Sequence, residues 1–583
     1  MIARLASLFY TLQHLRPRQL FYLIVRRQFP SRSVAVDTGG AQRQPLQLLS
    51  PIAIRDTRAG ESGERAIRFL NQQETIDFDA IDWCPDHTQR LWRYNLHYFD
   101  YLRDSAWSAD EKQLLIDSWI AANPQNSQPG WEPFTCSLRI VNWIVCLSTQ
   151  NATCSSAVLD SLYTQALWLE KNDERHILAN HYFENLKALL FAGCFFNGSA
   201  AADRWRRRAI SELKIQLREQ TLEDGGHYER SPQYHCLMLE NYLDIYNLAS
   251  NNPAFFDEAF VAQLTGCIEQ GLVWLNDIVF PDRMMPLFND SAFGVAPAVD
   301  ELVDYAASLK LPCGQSGTVT SNVGIIEKDD SGLYGFKTHT DMVIMDCGEI
   351  GPAYQPGHTH CDFLSYELML AGRRLVVDTG VSEYEPGPRR QYVRSTKAHN
   401  TISVDGGEQS EIWGEFRVAR RARKHFGRVI EGPECIEISG VYRGFYQGLW
   451  DRKGRFEHQR LISVKLVKDA FEAVEVVDTL HGSGEHLIES YIHIHPDFIV
   501  VPNPESADGR SLNILLEGRD GQQQARRVFA ELNIDDDCDV TVEESIYCPQ
   551  FGLEHKIDCV VISRRASLPQ TLAYRFKTHR FEY

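Results

Sequence analysis

The stretch Gly357-His-Thr-His-Cys-Asp362, with Asp378 and His399 downstream, gathers imidazoles and carboxylates in a short length of chain. Neutral imidazole nitrogen and carboxylate oxygen are good zinc donors. On a strand, His358, His360 and Asp362 would point the same way, because side chains alternate with period two. A hairpin turning near Gly372 in LMLAGRRLVVD would return Asp378 towards them. The pattern reads as a metal site. A polar strand face with unliganded histidines is the plainer alternative.

Three further clusters carry chemistry. Asn180, His181, Glu184 and Asn185 form one polar stripe on an otherwise apolar helical segment, as either a solvated face or part of a site. In Glu223-Asp-Gly-Gly-His-Tyr-Glu-Arg-Ser-Pro-Gln-Tyr-His235, Gly225 and Gly226 end one helix. Ser231 and Pro232 suit the N-cap and first turn of the next. Tyr228, Arg230, Tyr234 and His235 then lie in or beside a loop, where sites are commonly built; an ordinary interhelical turn is the alternative. The run Pro388–Lys397 sets Arg389 and Arg394 beside an aromatic, a combination able to hold carboxylates or sulfates of a sugar chain. There is no P-loop, no GxGxxG after a strand and no GxSxG. No single stretch offers an obvious acid pair for glycoside hydrolysis, although such pairs can be far apart in sequence.

The elements that must position these residues come in two textures. From about residue 90 to about 310, apolar residues recur at helical spacing, as in SSAVLDSLYTQALWLEKN, ANHYFENLKALLFAGCFF and YHCLMLENYLDIYNLA. Beyond about 315 the runs alternate or are β-branched, as in HQRLISVKLV and FEAVEVVDTL, which predicts a large antiparallel structure of sandwich type. The reading is α+β and multidomain. It has a lead-in over 1–60, a helical domain over 61–312 and an antiparallel β-sandwich over 313–583.

The net charge of −19 argues against non-specific nucleic-acid binding. An anionic substrate would need a local basic site working against that field. The 14 cysteines form no C-x-x-C pair and read as reduced, buried thiols. The N-terminal MIARLASLFYTLQHLRPRQLFYLIVRRQF is basic and partly apolar. It is read as neither a signal peptide nor a membrane span, with an interfacial amphipathic helix as the alternative.

The motifs also match a known family. The segments WRYNLHYFDYL, GWEPFTCSLRIVNW, NHYFEN, EDGGHYERSPQYH, FNDSAFG, GHTHCDFLSYEL, VVDTG and RSTKAHNTISVDG occur in that order from about residue 90 to about 410. In them the chain resembles the heparinase II/III-like polysaccharide lyases. The resemblance implies an (α/α) toroid followed by the sandwich, with the site in the cleft between them. It makes Asn180 the group that neutralises a substrate carboxylate, with His181 beside it, Tyr234 the catalytic tyrosine and His358 the cleft histidine. Arg230, His235, Glu184, Arg389 and Arg394 are the expected substrate contacts. His360, Asp378 and His399 become ligands of one structural zinc, which takes His358 and Asp362 off the metal.

The implied reaction is β-elimination on an acidic, uronate-containing polysaccharide. Tyr234 is expected to act as the acid and also as the base, or to share the two roles with His181 or His358; as a base near neutral pH it would need its pKa lowered from about 10, with His181, His358 and Arg230 nearby to do it. A glycoside hydrolase, a uronate epimerase and a non-catalytic polysaccharide-binding protein are the rival readings. The compartment is left open: cytoplasmic by the N-terminus, periplasmic by family analogy.

Overall fold

The computed structural model describes residues 2–579 except 30–31, 36–42, 45, 60–64, 79, 150–154, 312–322, 434, 446–454, 507–508, 517–526 and 536. Both expected domain boundaries, at 60 and at 312, fall outside the described residues.

The helical half runs from Arg90–Tyr98 to Val299–Ser308. Its segments behave as their periodicity requires: Ser156–Asn172, Ala179–Phe195, Ala200–Gln220 and Pro232–Asn251 are helices. They close on a core in which Trp92, Trp119, Trp143, Trp168, Trp205 and Trp274 are fully buried. A feature not foreseen is a small antiparallel sheet, Arg58–Ala59, Ala66–Phe69 and Gln72–Thr75, at the edge of this half. Trp92 anchors it by donating from Nε1 to the Gln72 carbonyl at 3.0 Å.

In the second half every ladder between named strands, among the described residues, is antiparallel. A five-stranded meander runs from Gly324–Lys328 to Arg373–Val376, and its last two strands form the hairpin expected at Gly372. An eight-stranded sheet places the C-terminal strand Gln570–Thr578 between Ala470–His481 and Arg527–Ile534. A four-stranded sheet carries Ile402–Val404 at one edge, paired with Glu485–His493. Alternating apolar faces of all three sheets, among them Val343, Leu368, Ile438, Val474, Ile488 and Ile562, share one core. Helices first and sheets second is the predicted order.

Residues 287–293 stitch the halves together. The Asp290 amide donates to the His358 carbonyl at 3.0 Å, and the His360 amide donates to Asn289 Oδ1 at 3.0 Å. On its other side, Ser231 Oγ donates to the Asp290 carbonyl at 2.8 Å, and the Ala292 amide donates to Gln233 Oε1 at 3.0 Å. Three motifs far apart in sequence are thereby held side by side.

Candidate active site

Tyr234 is aimed by its helix start. Ser231 is the N-cap of Pro232–Asn251 and its Oγ accepts from the Tyr234 amide, with Pro232 in the first turn. Such a cap is worth about 1 kcal/mol. The Tyr234 ring stacks on His358 with centroids 3.6 Å apart and planes 25° apart, and its hydroxyl lies 3.3 Å from that of Tyr384. Burial pushes the Tyr234 pKa well above 10, helped by Tyr384 and Asp290. This reverses the expectation that neighbours would lower it: His358 meets the ring face, and the hydroxyl sees another hydroxyl.

His358 does not sit on a strand. Residues 357–365 form turns and bends that lead into the strand Tyr366–Leu370, so the period-two argument does not apply. Loop geometry sends the two histidines to the same carboxylate instead. Asp290 Oδ2 lies 3.0 Å from His358 Nδ1, and Oδ1 lies 2.8 Å from His360 Nε2. Arg390 grips both oxygens of the same carboxylate. Burial opposes the Asp290 charge, but Arg390 and the histidines outweigh it and hold the carboxyl well below its ordinary range.

Asn180 and His181 open the helix Ala179–Phe195. Leu178 and Ala179 take positive φ of 68° and 54°, an unfavourable backbone for side chains with Cβ. Arg230, Asn289 and Leu364 do the same elsewhere around the site, and such strain collects where function constrains geometry. The His181 ring lies 4.5 Å from that of Phe134, and Nδ1 is 3.1 Å from Glu174 Oε1. Burial works against a charged His181, but Glu174 prevails and raises its pKa.

Glu229 completes the cluster. Its carboxylate is buried, with the Asn180 backbone amide as its one hydrogen-bond donor. Oε2 lies 3.9 Å from His358 Nε2 and 4.0 Å from His227 Nδ1. Burial raises its pKa, against the lowering pull of His358 and His181.

Behind Asp290 lies a metal-competent group. His360, Asp362 and His399 each present a ligand atom within 4.8 Å of the others. His360 Nδ1 and His399 Nε2 are buried without a partner, while each ring's second nitrogen rests on a carboxylate. These carboxylates are Asp290 for His360 and Asp378, at 2.7 Å, for His399. That is the usual support for metal-bound imidazole, and the donor set fits zinc. The grouping differs from the expected His360, Asp378 and His399. Asp378 spends Oδ2 on His399 Nδ1 and Oδ1 on the Gly380 amide, so it backs a ligand, while Asp362 faces the cluster.

The expected substrate contacts lie elsewhere. Arg230 donates to the carbonyls of Asp330, Glu349 and Gly351. His235 is buried against Trp274 with Nε2 3.0 Å from the Gly271 carbonyl. Glu184 is not solvated but accepts from Asn241 deep between helices. Arg389 pairs with Glu554, and buried Arg394 donates to the carbonyls of Thr359 and Gly414. The arginine that reaches the site is Arg390. Its place within the basic run was visible in the sequence, but its orientation was not. Asp290 stood in FNDSAFG without an assigned role. Tyr384, whose ring also carries Arg390 at 4.8 Å, had no signal.

Comparison with known proteins bears on the family and the fold. The family profile described as "Heparinase II/III N-terminus" matches residues 53–308, and "Heparinase II/III-like, C-terminal" matches residues 323–575. The heparin-sulfate lyase of Pedobacter heparinus is 25% identical over 425 residues, 64% of this chain and 62% of that protein. That of Bacteroides stercoris is 23% identical over 53% of this chain and 49% of its own length. The chain thus spans less than two thirds of either lyase. The FtsZ-localized protein C of Caulobacter vibrioides is 24% identical over 72% of each chain. Among solved structures, a heparinase III superposes with a TM-score of 0.65 at 18% identity, covering 85% of this chain and 79% of that one. The heparan sulfate lyase HepC of Pedobacter heparinus gives 0.55 at 19%, covering 88% and 80%. The fold is thus the toroid followed by the antiparallel sandwich.

Proposed function

We propose that this chain, which belongs to the heparinase II/III-like family, is a polysaccharide lyase that breaks a uronate-containing polymer by β-elimination. The observation that carries the reading is the Tyr234–His358 stack with Asp290 behind it: a protonated phenol and an oriented imidazole on one spot.

Elimination takes the proton from the carbon α to the uronate carboxylate and breaks the C–O bond at the β carbon. A carbon–carbon double bond remains. The first step is opposed by the carboxylate charge, so neutralising that charge matters most. Asn180 supplies amide donors to the carboxylate as charge builds on it. His181 stands beside it, and Glu174 biases its imidazole towards the charged form against the cost of burial. His358 has committed Nδ1 to Asp290, so Nε2 takes the proton. Tyr234 keeps its proton in the free protein and gives it to the leaving oxygen. Acid–base assistance of this kind supplies ~10²–10⁴-fold in rate. We further propose one structural zinc held by His360, Asp362 and His399. Bound there, it would fix the loop that carries His358, and no step of the elimination passes through it.

The rival hydrolase finds little support. Of the candidate acids, Glu184 faces Asn241, Asp224 holds Ser331 and Glu223 is exposed, so only Glu229 lies against His358.

The test is ultraviolet absorbance during incubation with heparan sulfate, then with uronate-rich exopolysaccharides and capsules. A rise, from the conjugated unsaturated uronate, establishes the lyase and its polymer together. Shortened chains without absorbance would establish a hydrolase. Uronate inverted in chains of unchanged length would establish an epimerase, and binding without any of these the non-catalytic role.

A further inference from the structure

The two N-terminal helices, Ile2–Leu12 and Pro17–Gln28, are packed inside out. In the first, Leu5, Leu8, Phe9 and Leu12 recur at helical spacing, and all four face solvent, Phe9 with 65% of its surface exposed. Among the described side chains of this helix the buried one is Ser7, whose Oγ donates to Glu411 at 2.7 Å, while Thr11 accepts from Trp413 Nε1 at 3.0 Å. The second helix repeats the pattern. Phe21 and Ile24 are 60% and 64% exposed, whereas Gln19 is 1% exposed and its amide donates to the carbonyls of Ile177 and Tyr354. Phe29, just beyond, is also exposed. A helix that served only the fold would turn its apolar stripe inward. Here the polar face anchors the helix and the apolar face is left over, on a scale that marks an interaction surface.

The charge around this surface identifies its partner. Residues 1–30 contain five arginines and no Asp or Glu, in a chain of net charge −19. The segment FRVARRARKHFGR, 416–428, is likewise without acids and lies against the first helix. Arg420 sits over the Tyr10 ring, and Arg421 and Arg423 are near enough to depress the His14 pKa, which burial also lowers. Arg16, Arg18 and Arg420 are paired within the fold with Glu219, Glu212 and Glu411, so exposed Arg4 and Arg27 are the guanidiniums that edge the apolar stripes. On an otherwise acidic protein that edge complements an anionic bilayer, where the rings enter the headgroup region and the guanidiniums meet phosphate. Among the described residues no helix is long and apolar enough to cross a membrane, so the mode is interfacial.

We propose that these two helices dock the protein onto an anionic lipid surface. The anchors hold both halves of the fold: Ile177 leads into Leu178–Asn180, and Glu411 lies close in sequence to Phe416, which meets the His358 ring edge-on at 6.4 Å. Docking therefore sets the end of the molecule that carries Asn180 and His358 at the lipid surface. The inference does not depend on the chain being a lyase.

The experiment is co-sedimentation of the full chain with vesicles of phosphatidylcholine alone and of phosphatidylcholine with about a third phosphatidylglycerol. The phosphatidylglycerol vesicles should carry the protein down at least about tenfold better than the neutral ones. A Phe9→Ser, Ile24→Ser double variant should lose about tenfold of that binding with an unchanged melting transition, because both side chains are exposed. Arg4→Ser with Arg27→Ser should weaken it further at low salt. No sedimentation, equal sedimentation with both lipids, or indifference to the Phe9 and Ile24 substitutions would overturn the proposal. So would a lipid-free dimer that dissociates on the same substitutions while vesicles bind nothing, since the surface would then belong to a second copy of the chain.

Discussion

The ring of Tyr234 lies nearly parallel to the imidazole of His358, 3.6 Å away, so each fixes the other's orientation. Replacing Tyr234 by Phe keeps the stack and removes one hydroxyl. Turnover should fall ~10²–10⁴-fold with KM within a few-fold of the wild type. Unsaturated-product absorbance measures both. Normal kcat in this variant would remove Tyr234 from the chemistry.

One carboxylate, Asp290, serves His358, His360 and Arg390, of which His360 and Arg390 are fully buried. Asp290→Asn strips the charge and leaves the Arg390 guanidinium buried without its counterion. The cost should be about 3–5 kcal/mol, the usual result of breaking a buried pair from one side. Urea unfolding followed by tryptophan fluorescence reports it. A loss below 1 kcal/mol would mean that Arg390 finds another partner or water. Activity should fall as well, because the His358 Nδ1 partner becomes an amide.

The architecture was legible because helix and strand leave different periodicities, and the caps and turns were spelled out by Ser231-Pro232 and Gly372. The site was legible as motifs and not as contacts. The Asp290 carboxylate joins motifs around 234, 290 and 358, and only the folded chain brings it there. Arg389 and Arg390 are neighbours of the same type, yet one meets Glu554 outside and the other Asp290 inside. Composition cannot choose between such neighbours. HxHxD failed as a strand argument because its backbone turns, while the chemistry of its residues survived the change of geometry.

If His360, Asp362 and His399 hold zinc, the purified protein should carry about one equivalent by native mass spectrometry. Chelation should lower the melting temperature, since the ion stabilises only the folded state. His399→Ala should abolish binding. Asp378→Asn should weaken it ~10–100-fold, the effect expected of a partner behind a ligand. A metal-free protein whose melting is indifferent to both zinc and chelator would dispose of the site.

Asp478 offers a pH test on a carboxylate that touches no reacting group. It is buried between Arg460 and His458, and Arg460 also donates to the carbonyls of Leu364 and Asn400 beside the site. Burial disfavours its charge, but Arg460 and His458 prevail and lower its pKa to about 2. A carboxyl depressed in the fold stabilises above its unfolded pKa of about 4 and loses that contribution as pH falls towards 2. The pH-dependent part should be about 2 kcal/mol. Unfolding free energies of wild type and Asp478→Asn should therefore differ most above pH ~5 and converge only as pH falls to ~2 and below. A constant difference across that range would place the dependence on other carboxylates.

Glu229 sets stability against function in a single side chain. Burial raises its pKa, so the folded protein holds a proton that the unfolded chain releases, and stability declines as pH rises through that interval. The carboxylate is buried with little beyond the Asn180 amide to satisfy it, and an under-satisfied buried polar group ordinarily costs about 1–3 kcal/mol. Such a group persists when it does something for the site. Lying 3.9 Å from His358 Nε2, it is placed to favour the protonated imidazole formed when His358 takes the substrate proton. Glu229→Gln keeps the shape and removes the charge. It should raise the melting temperature at pH 7 by a few degrees while lowering kcat about tenfold or more and shifting the acid limb of the pH–rate profile to lower pH. Rescue by Glu229→Asp would be partial, since the shorter side chain stands farther from the ring. A destabilised Gln variant with an unmoved pH profile would make Glu229 a packing residue after all.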